Sequence, residues 1–226
     1  MKQVVILLLA LVICSCSENK RDFDLKLDDD SIADTLSVHG FKRIEWNEED
    51  PLIKQRTIVS FGQINEIQGQ MIVEKLLYLE TNDPGKEIDL YLRSLGGWLD
   101  DAFSVIDTMK EITSPVNVHA LGGCGSSAFL ILCSATGQRT AGPNTLLSFH
   151  SNQYKIDKTN AKINLNYNRF ERLIKGHTKI GDDWLSQGRK NMHFYITPKE
   201  ALKLEIIDAI RGNHASASDQ DHINIP

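Results

Sequence analysis

The sequence lacks any apolar run long enough to cross a bilayer. Val4 to Ile13 is an unbroken apolar stretch of ten residues, against the roughly 20 that a spanning helix needs. It also lacks a long basic run, and a net charge of −5 is mild, which argues against a nucleic-acid surface. Cysteine is scarce. Of four, Cys14 and Cys16 close the apolar stretch, leaving Cys124 and Cys133. Most of the segment between these two reads as helix, and a rise of about 1.5 Å per residue sets them more than ~10 Å apart, too far for a disulfide. Both therefore read as small buried residues, even in an oxidising compartment. No internal repeat or low-complexity block is present. What remains is an ordinary globular composition, 41% apolar and 24% charged, enough for a useful core. A length of 226 residues suits one domain with tails, at about 100–200 residues per domain.

The first residues stand outside that domain. Met1-Lys2 gives a positive start, and the ten apolar residues fit the central region of a secretory signal. Ile13-Cys14-Ser15-Cys16 resembles a bacterial lipobox, with an aliphatic residue three places before a cysteine and a small residue just before it. That resemblance implies a lipidated Cys16 as the mature N-terminus, anchored in a bacterial cell envelope. Cys14 is a second candidate, although bulky Ile13 fits the cleavage position badly. A plain signal peptide or a short uncleaved anchor is the alternative. The expected organisation is a signal over 1–15, a polar tether over 16–50, a folded domain over 51–211 and a loose tail over 212–226. The tether is acidic, with Asp28-Asp29-Asp30 and Glu48-Glu49-Asp50, and shows little periodicity.

Within the domain, strand and helix patterns alternate. Residues 56–61 (RTIVSF) are β-branched and stop at Gly62; 87–92, 116–121 and 145–149 read as further strands. Helical spacing covers 70–80, through Ile72, Leu76 and Leu79, and 100–112, through Phe103, Ile106 and Met109. Helices are also expected over 126–135 and 161–174, the second with a stripe at Ile163, Tyr167, Phe170 and Ile174. Pro198 opens a last helix at its first turn. Such alternation predicts an α/β fold with a largely parallel sheet.

Four features are expected in loops after strands, where α/β sites gather. Ser94-Leu95-Gly96-Gly97 is a tight turn that brings backbone N–H groups close to a ligand. Gly122 to Gly125 leads into Ser126-Ser127 at a helix start, where the dipole favours developing negative charge; a plain N-cap serine would look the same. His150 follows a strand, and histidine is a side chain suited to general-base work. Thr197-Pro198 begins a helix.

Taken in order, these segments resemble the ClpP-type serine peptidases over about 57–210. Leu79-Glu80 with Asp83-Pro84, Leu90-Tyr91-Leu92 with Ser94-Leu95-Gly96-Gly97, and Ile106 to Met109 carry the match. So do Arg139, Pro143-Asn144, His150, Thr197 to Ala201 and Ile207-Asp208. Leu95 stands where the family has proline. The resemblance implies the ClpP/crotonase-like fold of repeated β-β-α units, with the 161–174 helix as a protruding handle.

The resemblance also implies a site. The family's local motif points to Ser126 as nucleophile, with Ser127 as an alternative. Counting without gaps from His150 instead puts Gly125 there, which would leave no nucleophile. The triad acid's position holds His193, with Asp182, Asp183 or Asn191 as possible substitutes if the loop shifts. The backbone N–H groups of Gly97 and Ser127 would form the oxyanion hole. The expected activity is an ATP-independent serine peptidase of the cell envelope acting on short or unfolded peptides, without cofactor, metal, nucleic acid or ATPase partner, and with possible homo-oligomerisation. The rivals are an inactive peptide-binding or scaffolding lipoprotein and a crotonase-type acyl-CoA enzyme, which export disfavours.

Overall fold

The computed structural model describes residues 46–150, 161–185 and 194–212. In chain order the elements are α1 (Pro51–Lys54), β1 (Thr57–Phe61), α2 (Glu66–Asn82), β2 (Ile88–Ser94), α3 (Leu99–Glu111), β3 (Val116–Gly125) and α4 (Ser126–Cys133). There follow β4 (Arg139–Ala141), β5 (Leu146–Phe149), α5 (Ala161–His177), β6 (Phe194–Ile196), α6 (Pro198–Lys203) and β7 (Ala209–Ile210). The expected α/β fold is what the structure shows, and the sheet is parallel except where β6 runs against β5.

The sheet runs β1-β2-β3-β4-β7. Strand β3 changes partner along its length. Val118–Ala120 pair with β4, and Gly123–Gly125 pair with β5. On its other side, Ala120 faces Leu92 and Cys124 faces Ser94. Strand β3 thus spends four steps where β2 spends two, and the surplus bulges at Leu121 to Gly123. A bulge bends and re-aims a strand, and here it carries the end of β3 over to β5.

Strand alternation sets the two faces of the sheet. Ile88, Leu90 and Leu92, with Val116, Val118 and Ala120, are fully buried beneath Ile72, Leu76, Phe103, Ile106 and Met109. Helix α4 (SSAFLILC) is buried from Ser127 to Cys133, as an all-round apolar helix must be. Helix α2 starts four residues earlier than the periodicity predicts, because the Asn65 side chain accepts from the Gln68 N–H at 3.0 Å. Three short strands, β4, β6 and β7, have no counterpart in the pattern reading. Helix α5 runs to His177, burying Phe170 and Ile174; Ile163 and Tyr167 lie outside the described side chains. Trp46 packs edge-on against Tyr78, with centroids 4.8 Å apart. Cys124 and Cys133 are free and buried, and burial pushes the Cys124 thiol up to about 12.

Candidate active site

The site begins at the bulge. Beyond it β3 continues through Gly125, so the Gly122–Gly125 segment, expected as a loop, is strand. The reason is its pairing with β5, which supplies hydrogen-bond partners that a short-range reading cannot see. Helix α4 starts on the next residue. Ser126 takes φ +53, a left-handed conformation that costs an L-residue about 1–2 kcal/mol. Strain of this kind collects at functional sites. Ser126 is half-buried, whereas Ser127 is sealed and its hydroxyl has no hydrogen-bond partner among the described residues.

The Gly96-Gly97 turn closes over this helix start. A Cβ on Gly96 would lie 2.5 Å from the Ser126 Cβ, 2.7 Å from the Gly125 carbonyl oxygen and 2.9 Å from the Ser127 nitrogen. Gly96 also has φ +97, so glycine is required there twice over. The turn is braced by the Gly96 N–H, which donates to the buried Ser94 hydroxyl at 3.0 Å. The Ile64 N–H donates to the Gly96 carbonyl and the Trp98 N–H to the Ile64 carbonyl, at 3.0 and 2.8 Å. Because those two groups face Ile64, the alternation of an extended chain turns the intervening Gly97 N–H to the opposite side. A Cβ on Gly97 would collide with the Ile64 carbonyl oxygen. At the helix start, Gly125 provides no side-chain cap. The first-turn N–H groups, Ser127's among them, therefore retain their capacity for an anion.

His150 follows β5 directly and is half-buried. Since Gly125 pairs with Ser148, Ser126 and His150 sit at the carboxyl ends of neighbouring strands. The structure therefore gathers the Gly-Gly turn and both serines tightly, and sets His150 at the edge of that cluster. His193 and Cys16 lie outside the described residues. Leu95 and Trp98, which flank the Gly-Gly turn, are exposed, as are Leu146 on β5 and Tyr195 on β6.

Two polar knots lie away from the serines and were not legible as such. Arg139, at the start of β4, forks onto Asp208 with contacts of 2.5 and 3.2 Å and donates to the carbonyls of His177 and Glu205 at 2.6 and 2.8 Å. It lines a polar cavity of about 490 Å³ with Cys133, Gly176 and His177. Burial opposes ionisation of Asp208, but the Arg139 bonds outweigh it and hold the carboxyl below its usual range. On the outer sheet face, His119 bonds Asp89 through Nε2 at 2.8 Å and Thr140 through Nδ1 at 2.7 Å. Burial leads the causes that lower the His119 pKa.

A family model described as Clp protease matches residues 45–214, and the chain belongs to that family. Among solved structures, it is similar to a ClpP1 mutant from Listeria monocytogenes, with 26% identity and a TM-score of 0.63. That match covers 72% of this chain and 95% of the Listeria chain. The fold is thus the serine-peptidase fold of ClpP.

Proposed function

We propose that this protein is an ATP-independent serine-type peptidase acting on short or unfolded peptides. The carrying observation is the contact of the Gly-Gly turn with Ser126, the accessible serine at the strained start of α4. In this reading His150 removes the Ser126 proton as Oγ attacks a peptide carbonyl. The N–H groups of Gly97 and Ser127 receive the oxyanion, where one donor is commonly worth about 10²–10³ in rate. The imidazolium then protonates the leaving amine, and water hydrolyses the acyl-enzyme by the reverse sequence. His193 would orient the base in place of an acid, and a neutral orienter implies slow turnover. The leader implies a lipid anchor at Cys16 in the cell envelope, and self-association through α5 fits its amphipathic surface.

A second reading is peptide binding without hydrolysis. It is favoured by the pairing of Gly125 with Ser148, which sets a residue without a side chain on the strand face that carries His150. A fluorophosphonate probe separates the two. Labelling of the wild type that falls sharply in Ser126→Ala and His150→Ala supports the peptidase. A wild-type protein that never labels under any condition leaves the binding reading.

A further inference from the structure

Strand β5 presents a second hydroxyl to the same site. Along it, Leu147 and Phe149 are buried in the core, while Leu146, Ser148 and His150 face the other way. With two residues per repeat, Ser148 and His150 share one face about 6.6 Å apart along the strand. The Ser148 hydroxyl lies against Gly125, and a turn about its χ1 would aim it along the strand toward His150. Directly across, Gly125 pairs with Ser148. A Cβ on Gly125 would collide with the Ser148 hydroxyl and would lie 3.5 Å from the Leu95 carbonyl. The hydroxyl of Ser148 therefore occupies the space that a side chain at position 125 would take, beside the turn that closes over Ser126. Among the described residues it has no hydrogen-bond partner, and Ser148 itself is only half-buried. Tyr195 stands opposite it on β6 and is exposed.

We propose that Ser148 is a second nucleophilic hydroxyl of the site, served by the same base as Ser126; this rests on the peptidase reading. His150 takes the proton of the Ser148 hydroxyl while its oxygen bonds to the carbonyl carbon of a peptide. The carbon–nitrogen bond breaks, and the amine leaves with the proton from the imidazolium. Water, deprotonated by His150, then cleaves the ester, and the proton returns to Ser148. Gly125 is what permits this arrangement, since any side chain there would displace the hydroxyl.

The test maps the fluorophosphonate adduct by mass spectrometry of the peptides. Ser126→Ala is expected to keep a slower adduct on Ser148. That adduct should vanish in Ser126→Ala/Ser148→Ala and drop by about 10²-fold or more when His150→Ala is added to Ser126→Ala. A Ser126→Ala protein that is folded by circular dichroism and carries no adduct overturns the proposal while leaving the peptidase intact. An unlabelled wild type overturns both. Ser148→Thr keeps a hydroxyl at the same position, and the Ser126→Ala/Ser148→Thr protein should retain an adduct that Ser126→Ala/Ser148→Ala lacks. Equal loss in the two would also count against the proposal.

Discussion

Gly96 and Ser126 touch so closely that a methyl group on the glycine would stand 2.5 Å from the Ser126 Cβ. Gly96→Ala must therefore push the serine, the turn or both. Its positive φ adds about 1–2 kcal/mol of backbone strain for an L-residue. We expect probe labelling to fall by about 10²-fold, the scale of a misplacement near 1 Å, with circular dichroism close to wild type. Labelling at the wild-type rate would show that the turn does not position the serine.

Arg139 ties three segments of chain to one guanidinium: its own strand, the end of α5 through the His177 carbonyl, and the 205–208 connection through the Glu205 carbonyl and Asp208. Arg139→Ala leaves two carbonyls without their donor and Asp208 with only the residue-139 backbone N–H, and should cost about 2 kcal/mol in urea unfolding. Arg139→Lys should recover little of it, because an ammonium cannot reproduce the planar fork. A urea midpoint that moves by less than a fifth of that cost in Arg139→Ala would contradict the role.

Stability should fall on mild acidification. His119 is held below its ordinary pKa by burial, and so is His177, with Lys110 and Arg139 adding to the effect. The unfolded chain then takes up protons first. The stability from neutral burial is complete above about pH 6.5 and is lost as pH falls through the lowered folded values. Urea midpoints at pH 7.5 and 5.5 should differ, the lower pH being less stable. His119→Gln should flatten that dependence whatever it does to the absolute midpoint. An unchanged slope would assign the effect to other groups. Glu80, held to about 2 by Ser114 and Thr113, acts in a lower window: its contribution persists until pH drops below the ordinary carboxylate range.

The proposed lipid anchor at Cys16 predicts covalent lipid. Cells fed a labelled fatty acid should incorporate it into the wild type and not into Cys16→Ala, which should leave the membrane fraction. Incorporation that survives Cys16→Ala but not Cys14→Ala would move the modification by two residues. Among the described residues no helix is long and apolar enough to cross a membrane.

Much of this architecture is legible from period alone. The strands at Thr57 and Ile88 and helix α3 carry strong local signals. The Gly-Gly turn and the helix start at Ser126 announce themselves through residue type. Other features depend on partners distant in sequence. Strand β4 is three residues and β7 is two, too short for alternation to register. The extension of β3 through Gly122 to Gly125 requires β5 to accept it, and glycines read as turn until such a partner exists. Ser148 looked like strand filler; its one available signal was the period-two alignment with His150. The choice between Ser126 and Ser127 turned on burial, which the doublet in the sequence does not encode.

The change of partner along β3 divides the site between two mechanical neighbourhoods. Ser126 starts a helix embedded in the core, whereas His150 hangs from a strand joined to β3 by three residue pairs and to β6 by three more. Short ladders open at lower free energy than buried helices. Warming or mild denaturant should therefore part His150 from Ser126 while the body of the protein stays folded. On the proposed peptidase reading, activity and fold would melt at separate temperatures.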